Sequence, residues 1–124
     1  VIVVHSSAVL TLLTNEPGCN AVAAKLCEAP DAIMSPVSVM EVLQALTQRY
    51  DDPAPILTAF LKQSHIAQRP VDAAQTSWAR TGFLAYGSGR WSLADCFAYG
   101  AAKALDAPLL ATTDLFAKSD LKMV

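Results

Sequence analysis

The sequence predicts an α/β fold, a mostly parallel sheet with helices on both faces. Three observations carry this. Val1 to Val4 is an unbroken β-branched run, the pattern of a strand buried on both faces and therefore central in a sheet. Short candidate strands follow at 32–34, 66–70 and 109–112, with helical stretches between them in the order β-α-α-β-α-α-β-α-α-β. Finally, the stretch from Trp91 to Asp114 reads as a helix apolar on almost every face, a turn at Asp106 to Pro108, and a strand.

After the first strand, Ser6 or Ser7 can cap a short helix over 8–13, which leaves His5 at the strand's carboxyl end. Asn15 to Gly18 is a turn, and a second helix covers 21–26 with Lys25 and Glu28 outward. The second strand is 32–34. Ser35 as cap and Pro36 as first helical residue start a helix that runs to about Tyr50 and places Glu41 in its most apolar half. Asp51 to Pro55 breaks the chain inside one domain, before a helix over 56–64. The run at 66–70 contains Pro70 and so belongs at a sheet edge.

A longer amphipathic helix is expected over 72–86, followed by a loop from Gly87 to Arg90 that lacks the spacing of a phosphate-binding loop. The next helix opens after Ser92 and reaches Leu105. Strand 109–112 follows, and 121–124 offers a last strand.

At 124 residues the chain is a single domain over 1–124, with one sizeable core. With 53% hydrophobic and 16% charged residues, it is neither disordered nor a scaffold of tails. A net charge of -2 argues against holding nucleic acid by a broad basic surface, and leaves a metal-mediated or locally basic contact open. Three cysteines without Cys-x-x-Cys spacing read as reduced thiols of a cytoplasmic protein. No run is long enough to span a bilayer, and Val1 to Val4 is too short for a signal-peptide core. A homodimer face or a partner groove would use the remaining apolar surface.

Asp95 is the chemical focus, since a carboxylate on a buried helix must be paired, hydrogen-bonded or bound to a cation. Ser92 to Asp95 also matches a capping box, in which Asp95 would only satisfy backbone donors, and Asp114 could be a helix cap before Leu115. Glu41 lies too deep in its helix to cap it. His5, at a strand end, would alone be a structural histidine. Convergence changes the weighing: the ends of the first strand and of the strand at 109–112 can face each other at a switch point, where helices deliver Glu41 and Asp95. Three carboxylates around one crevice require a cation, and an oxygen-rich set suits Mg²⁺ or Mn²⁺.

These residues resemble a known family. Residues 1–10 with 15–17, 35–42, 87–90 with 93–99, and 107–114 with Phe116 and 119–121 look like a PIN-domain protein, specifically a VapC-type ribonuclease toxin of a bacterial toxin–antitoxin module. The resemblance covers nearly the whole chain. It implies a three-layer α/β/α sandwich, a homodimer, and a metal-dependent endoribonuclease held inactive by a small antitoxin. By position, Glu41, Asp95 and Asp114 match three of the family's acidic residues, and Ser7 matches its small hydroxyl residue. Asp95 is then a direct metal ligand, Asp114 a direct or water-mediated one, and Glu41 positions metal or water. Arg90 and Lys118 are the cations assigned to RNA phosphate.

Where the family has an aspartate, this chain has His5. Imidazole can bind Mn²⁺ or Zn²⁺ but suits Mg²⁺ poorly, so the substitution predicts a weakened or silenced site. The join between Gly89 and Asp95 is also shorter than in many relatives. The competing reading is a non-catalytic PIN domain that acts by binding its antitoxin, favoured if His5 is hydrogen-bonded to Asp95 or Asp114. A third, a structural domain without a site, requires Glu41, Asp95 and Asp114 to lie far apart.

Overall fold

The computed structural model describes residues 1–124. Four parallel strands form one sheet: β1 (Ile2–Val4), β2 (Ala32–Met34), β3 (Ile66–Gln68) and β4 (Leu109–Leu110), in the spatial order β3-β2-β1-β4. The β-branched run at the start is therefore interior, with all three β1 residues buried, and β3 is an edge. The chain steps outward from β1 to β2 to β3, then returns to the other side of β1 with β4. That reversal makes the boundary between β1 and β4 the topological switch point, where open parallel sheets leave a crevice beyond their carboxyl ends.

Six α-helices connect the strands: α1 (Ser6–Leu13), α2 (Cys19–Glu28), α3 (Pro36–Leu46), α4 (Ala54–Gln63), α5 (Ala73–Gly82) and α6 (Leu93–Leu105). The core divides into two clusters, one on each face of the sheet. Alternation along β1 separates them: Ile2 and Val4 join Val42, Leu46 and Leu57 on one side, while Val3 joins Tyr99, Ala102 and Phe116 on the other. This is the α/β/α sandwich, and burial of both faces is why the strands read as continuous apolar runs.

Several local details differ from the sequence reading: β3 and β4 end at Gln68 and Leu110, short of the expected 70 and 112, and α3 ends at Leu46 instead of near Tyr50. His5, rather than Ser6 or Ser7, caps α1, because its imidazole accepts the Ser7 backbone N–H. The helix expected to reach Tyr86 is α-helical only to Gly82, and Phe83–Gly87 widens into a π turn. There a Cβ on Gly82 would overlap the Tyr99 ring, and one on Gly87 the Trp91 ring. The expected final strand contributes one parallel bridge, Met123 to Leu109, instead of a ladder.

Helices α5 and α6 approach closely because Gly100 has no side chain: a Cβ there would collide with the Gln75 carbonyl oxygen. Gly100→Ala should lower stability by about 1–3 kcal/mol through overpacking. Raising helix propensity alone would add up to about 1 kcal/mol. Thermal or urea unfolding of the two proteins decides which effect wins.

Candidate active site

Three loops and helix starts meet beyond the carboxyl ends of β1 and β4. His5 follows β1, Ser35 caps α3 and thereby sets the register that turns Glu41 inward, and Ser92 caps α6 with Asp95 as its third residue. The ligating atoms of His5, Glu41 and Asp95 all lie within 4.8 Å of one another. His5 and Asp95 are buried, and Glu41 is half-buried at the edge of the crevice.

Both oxygens of Asp95 are engaged. His5 Nε2 lies 2.6 Å from Oδ1, and the Ser92 backbone N–H donates to Oδ2 at 2.8 Å. The capping box expected at this position is complete, since Ser92 Oγ accepts from the Asp95 N–H at 3.1 Å. Asp95 is therefore both cap partner and centre residue. Burial pushes its carboxyl up, but the His5 hydrogen bond, the Ser92 backbone N–H and the charge interaction with His5 together bring it below its ordinary value near 3.8.

Glu41 is clamped from two helices. Ser6 Oγ on α1 donates to Oε1, and Ser92 Oγ, at the start of α6, donates to Oε2 at 2.8 Å. Ser7 works one layer behind. Its Oγ accepts the Thr112 N–H at 2.9 Å and lies 2.8 Å from His5 Nδ1, tying the end of β1 to the segment after β4. Phe116 meets the His5 ring edge-on at 5.2 Å, and Trp91 packs on Phe116 while its indole N–H donates to the Leu115 carbonyl at 3.1 Å.

Of the residues predicted from sequence, His5, Ser7, Glu41 and Asp95 come together. Asp114 does not join the cluster; it is exposed on the loop after β4, where its carbonyl accepts the Ala117 N–H. Arg90 and Lys118 are exposed. Sequence reasoning missed Ser6 and the second role of Ser92. Both look like ordinary helix-start serines, and no spacing reveals that they converge on Glu41.

An ionised carboxylate offers about four lone-pair sites, and each Glu41 or Asp95 oxygen accepts one hydrogen bond. Coordination capacity therefore remains on both carboxylates, which suit a divalent ion, and the imidazole beside them could join the set only with its ring proton moved off Nε2.

The fold and this crevice define a class, an α/β/α domain with a carboxylate centre at the switch point of a parallel sheet. A PIN-domain family model matches residues 2–116, and the chain belongs to that family, among its VapC relatives. It is 31% identical to Ribonuclease VapC of Mycolicibacterium smegmatis, with 98% of each chain covered. It is 32% identical to Ribonuclease VapC36 of Mycobacterium tuberculosis, over 97% of this chain and 91% of that protein. Among solved structures, Mycobacterium tuberculosis VapC20, described as a Sarcin-Ricin loop cleaving toxin, superposes with a TM-score of 0.81 at 15% identity, covering 100% of this chain and 98% of that one. VapBC2 of Rickettsia felis, bound to a promoter DNA fragment, gives 0.75 at 15% identity over 99% and 96%. At those identities the structural matches establish the fold.

Because folding lowers the Asp95 pKa, its ionisation contributes stability that is fully present above about pH 3.8 and is lost as pH falls through the lower folded value. The stability difference between the protein and Asp95→Asn should accordingly shrink below about pH 4. Urea titrations between neutral and acid pH check this; a gap that widens toward acid contradicts it.

Proposed function

We propose that this chain is a VapC-type toxin, a divalent-metal-dependent endoribonuclease that cleaves RNA phosphodiester bonds. The observation that carries the reading is the convergence of Glu41, Asp95 and His5 at the switch point of a chain related over nearly its whole length to VapC ribonucleases. A bound Mg²⁺ or Mn²⁺ would activate water and stabilise charge on the phosphoryl oxygen.

The residues divide the remaining work. Asp95 and His5 face the centre directly, and Asp114, outside the cluster on the exposed loop after β4, is the residue that would add a direct or water-mediated contact to a bound ion. Glu41, fixed by Ser6 and Ser92, positions the water or the ion. Arg90 and Lys118 are exposed and take RNA phosphates, which position a strand without reading its sequence.

A cognate antitoxin is the partner expected from the toxin–antitoxin complexes among the structural neighbours. Exposed Met40 and Leu93, in or beside the helices that carry Glu41 and Asp95, provide apolar surface for a homodimer. The site of action is the cytoplasm, and no helix is long and apolar enough to cross a membrane.

The hydrogen bond from His5 to Asp95 is compatible with a second reading, a PIN domain that binds its antitoxin without cutting RNA, but does not by itself favour it over the nuclease. Cleavage of a structured RNA separates the two. In Mg²⁺, His5→Asp should cut about tenfold or more faster than the unchanged chain, and Asp95→Asn should be inactive. If neither the chain nor His5→Asp cuts across a range of RNAs and metals while antitoxin binding persists, the binding-module reading replaces the nuclease.

A further inference from the structure

His5 cannot hold a metal ion in the hydrogen-bonding arrangement it now has. Its Nδ1 accepts the Ser7 N–H at 3.0 Å, so the ring proton sits on Nε2 and is donated to Asp95. The nitrogen that faces Glu41 and Asp95 therefore presents hydrogen, not a lone pair. Moving the ring proton to Nδ1 would free Nε2. This costs the α1 cap bond, roughly 1 kcal/mol for such a cap. The displaced proton would find an acceptor already in place, Ser7 Oγ, 2.8 Å from Nδ1 and itself fixed by the Thr112 N–H.

We propose that His5 converts this centre from an oxygen cage into a mixed nitrogen–oxygen site that takes a first-row transition ion, in the range Mn²⁺ to Zn²⁺, in preference to Mg²⁺, with Ser7 positioning the imidazole for it. The inference rests on the nuclease reading and specifies its ion. Imidazole forms strong bonds to transition ions, whereas Mg²⁺ keeps oxygen ligands and near-ideal octahedral geometry. A metal-bound histidine almost always donates its other ring nitrogen to an acceptor, which sets the tautomer. Ser7 Oγ is that acceptor here. The ion also needs space: ligand bonds of about 2.0–2.2 Å must separate His5 Nε2 from Asp95 Oδ1 beyond their present 2.6 Å. Beyond its bonds to Asp95 and Ser7, the ring touches Phe116 by edge-on aromatic packing.

The experiment is metal titration by calorimetry, with Zn²⁺, Mn²⁺ and Mg²⁺ each alone and no RNA. It is combined with nitrogen NMR of the His5 ring. Cys27 and His65 line a separate apolar hollow and could scavenge zinc, so Cys27→Ser with His65→Ala serves as the background.

In that background, His5→Asp should reduce the preference for Zn²⁺ over Mg²⁺ by about a hundredfold. Ser7→Ala should weaken Zn²⁺ binding about 10–100-fold while leaving the backbone cap donor intact. Ser7→Thr should restore it. On adding Zn²⁺, His5 Nε2 should lose its proton and Nδ1 gain one. A preference unchanged by His5→Asp, or a His5 Nε2 that stays protonated in the zinc-bound protein, overturns the inference. If Asp95→Asn still abolishes binding in that case, the nuclease reading survives; if no divalent ion binds at all, both fall.

Discussion

The hydrogen bond between His5 and Asp95 is the constraint on which the rest of the centre depends. It joins the end of the first strand to the first turn of α6, residues 90 positions apart in sequence, at 2.6 Å and out of contact with bulk water. An unpartnered carboxylate there would carry the full cost of desolvation, about 1–3 kcal/mol or more for a charged group. With His5 and the Ser92 backbone N–H on its two oxygens, Asp95 remains ionised inside the fold. The same bond fixes the imidazole tautomer, and through it the cap of α1.

Around that bond, helix starts do double duty. The amino ends of α1 and α6 bring oriented N–H groups and partial positive charge to one crevice, which favours carboxylates before any cation is considered. Ser6, Ser7 and Ser92 lie at these starts, and each reaches beyond its own helix, to Glu41, to Thr112 or to Glu41 again. A structural cap and a functional centre are thus the same set of atoms. The aromatic stack of Tyr99, Trp91 and Phe116 supports the arrangement from behind and ties the segment bearing Asp114 to the start of α6.

Much of this arrangement is legible in the sequence. The β-branched run at Val1 to Val4, the Ser35-Pro36 helix start and the nearly all-apolar helix from Leu93 each have one dominant physical reading, and each lies where it was expected. β3 lies at the edge as expected, although Pro70, the residue that suggested it, falls two positions beyond the strand's end at Gln68. What pattern could not show was interaction across the fold. Nothing local to Ser92 reveals that its hydroxyl both caps α6 and holds Glu41, because the partner is 51 residues away. The π turn after Gly82 depends on the Tyr99 and Trp91 rings of a later segment, and hydrophobic periodicity does not register such a change. His5 as a cap was missed because imidazole is not among the usual capping side chains, although its Nδ1 offers the same acceptor.

The most direct test of this account is a double-mutant cycle between His5→Ala and Asp95→Asn, read as unfolding free energy at neutral pH. A buried, charge-assisted hydrogen bond predicts a coupling energy of about 1.5–3 kcal/mol between the two positions. Additive effects within about 0.5 kcal/mol would mean that the two side chains do not hold each other. In that case the centre would need a different organising contact.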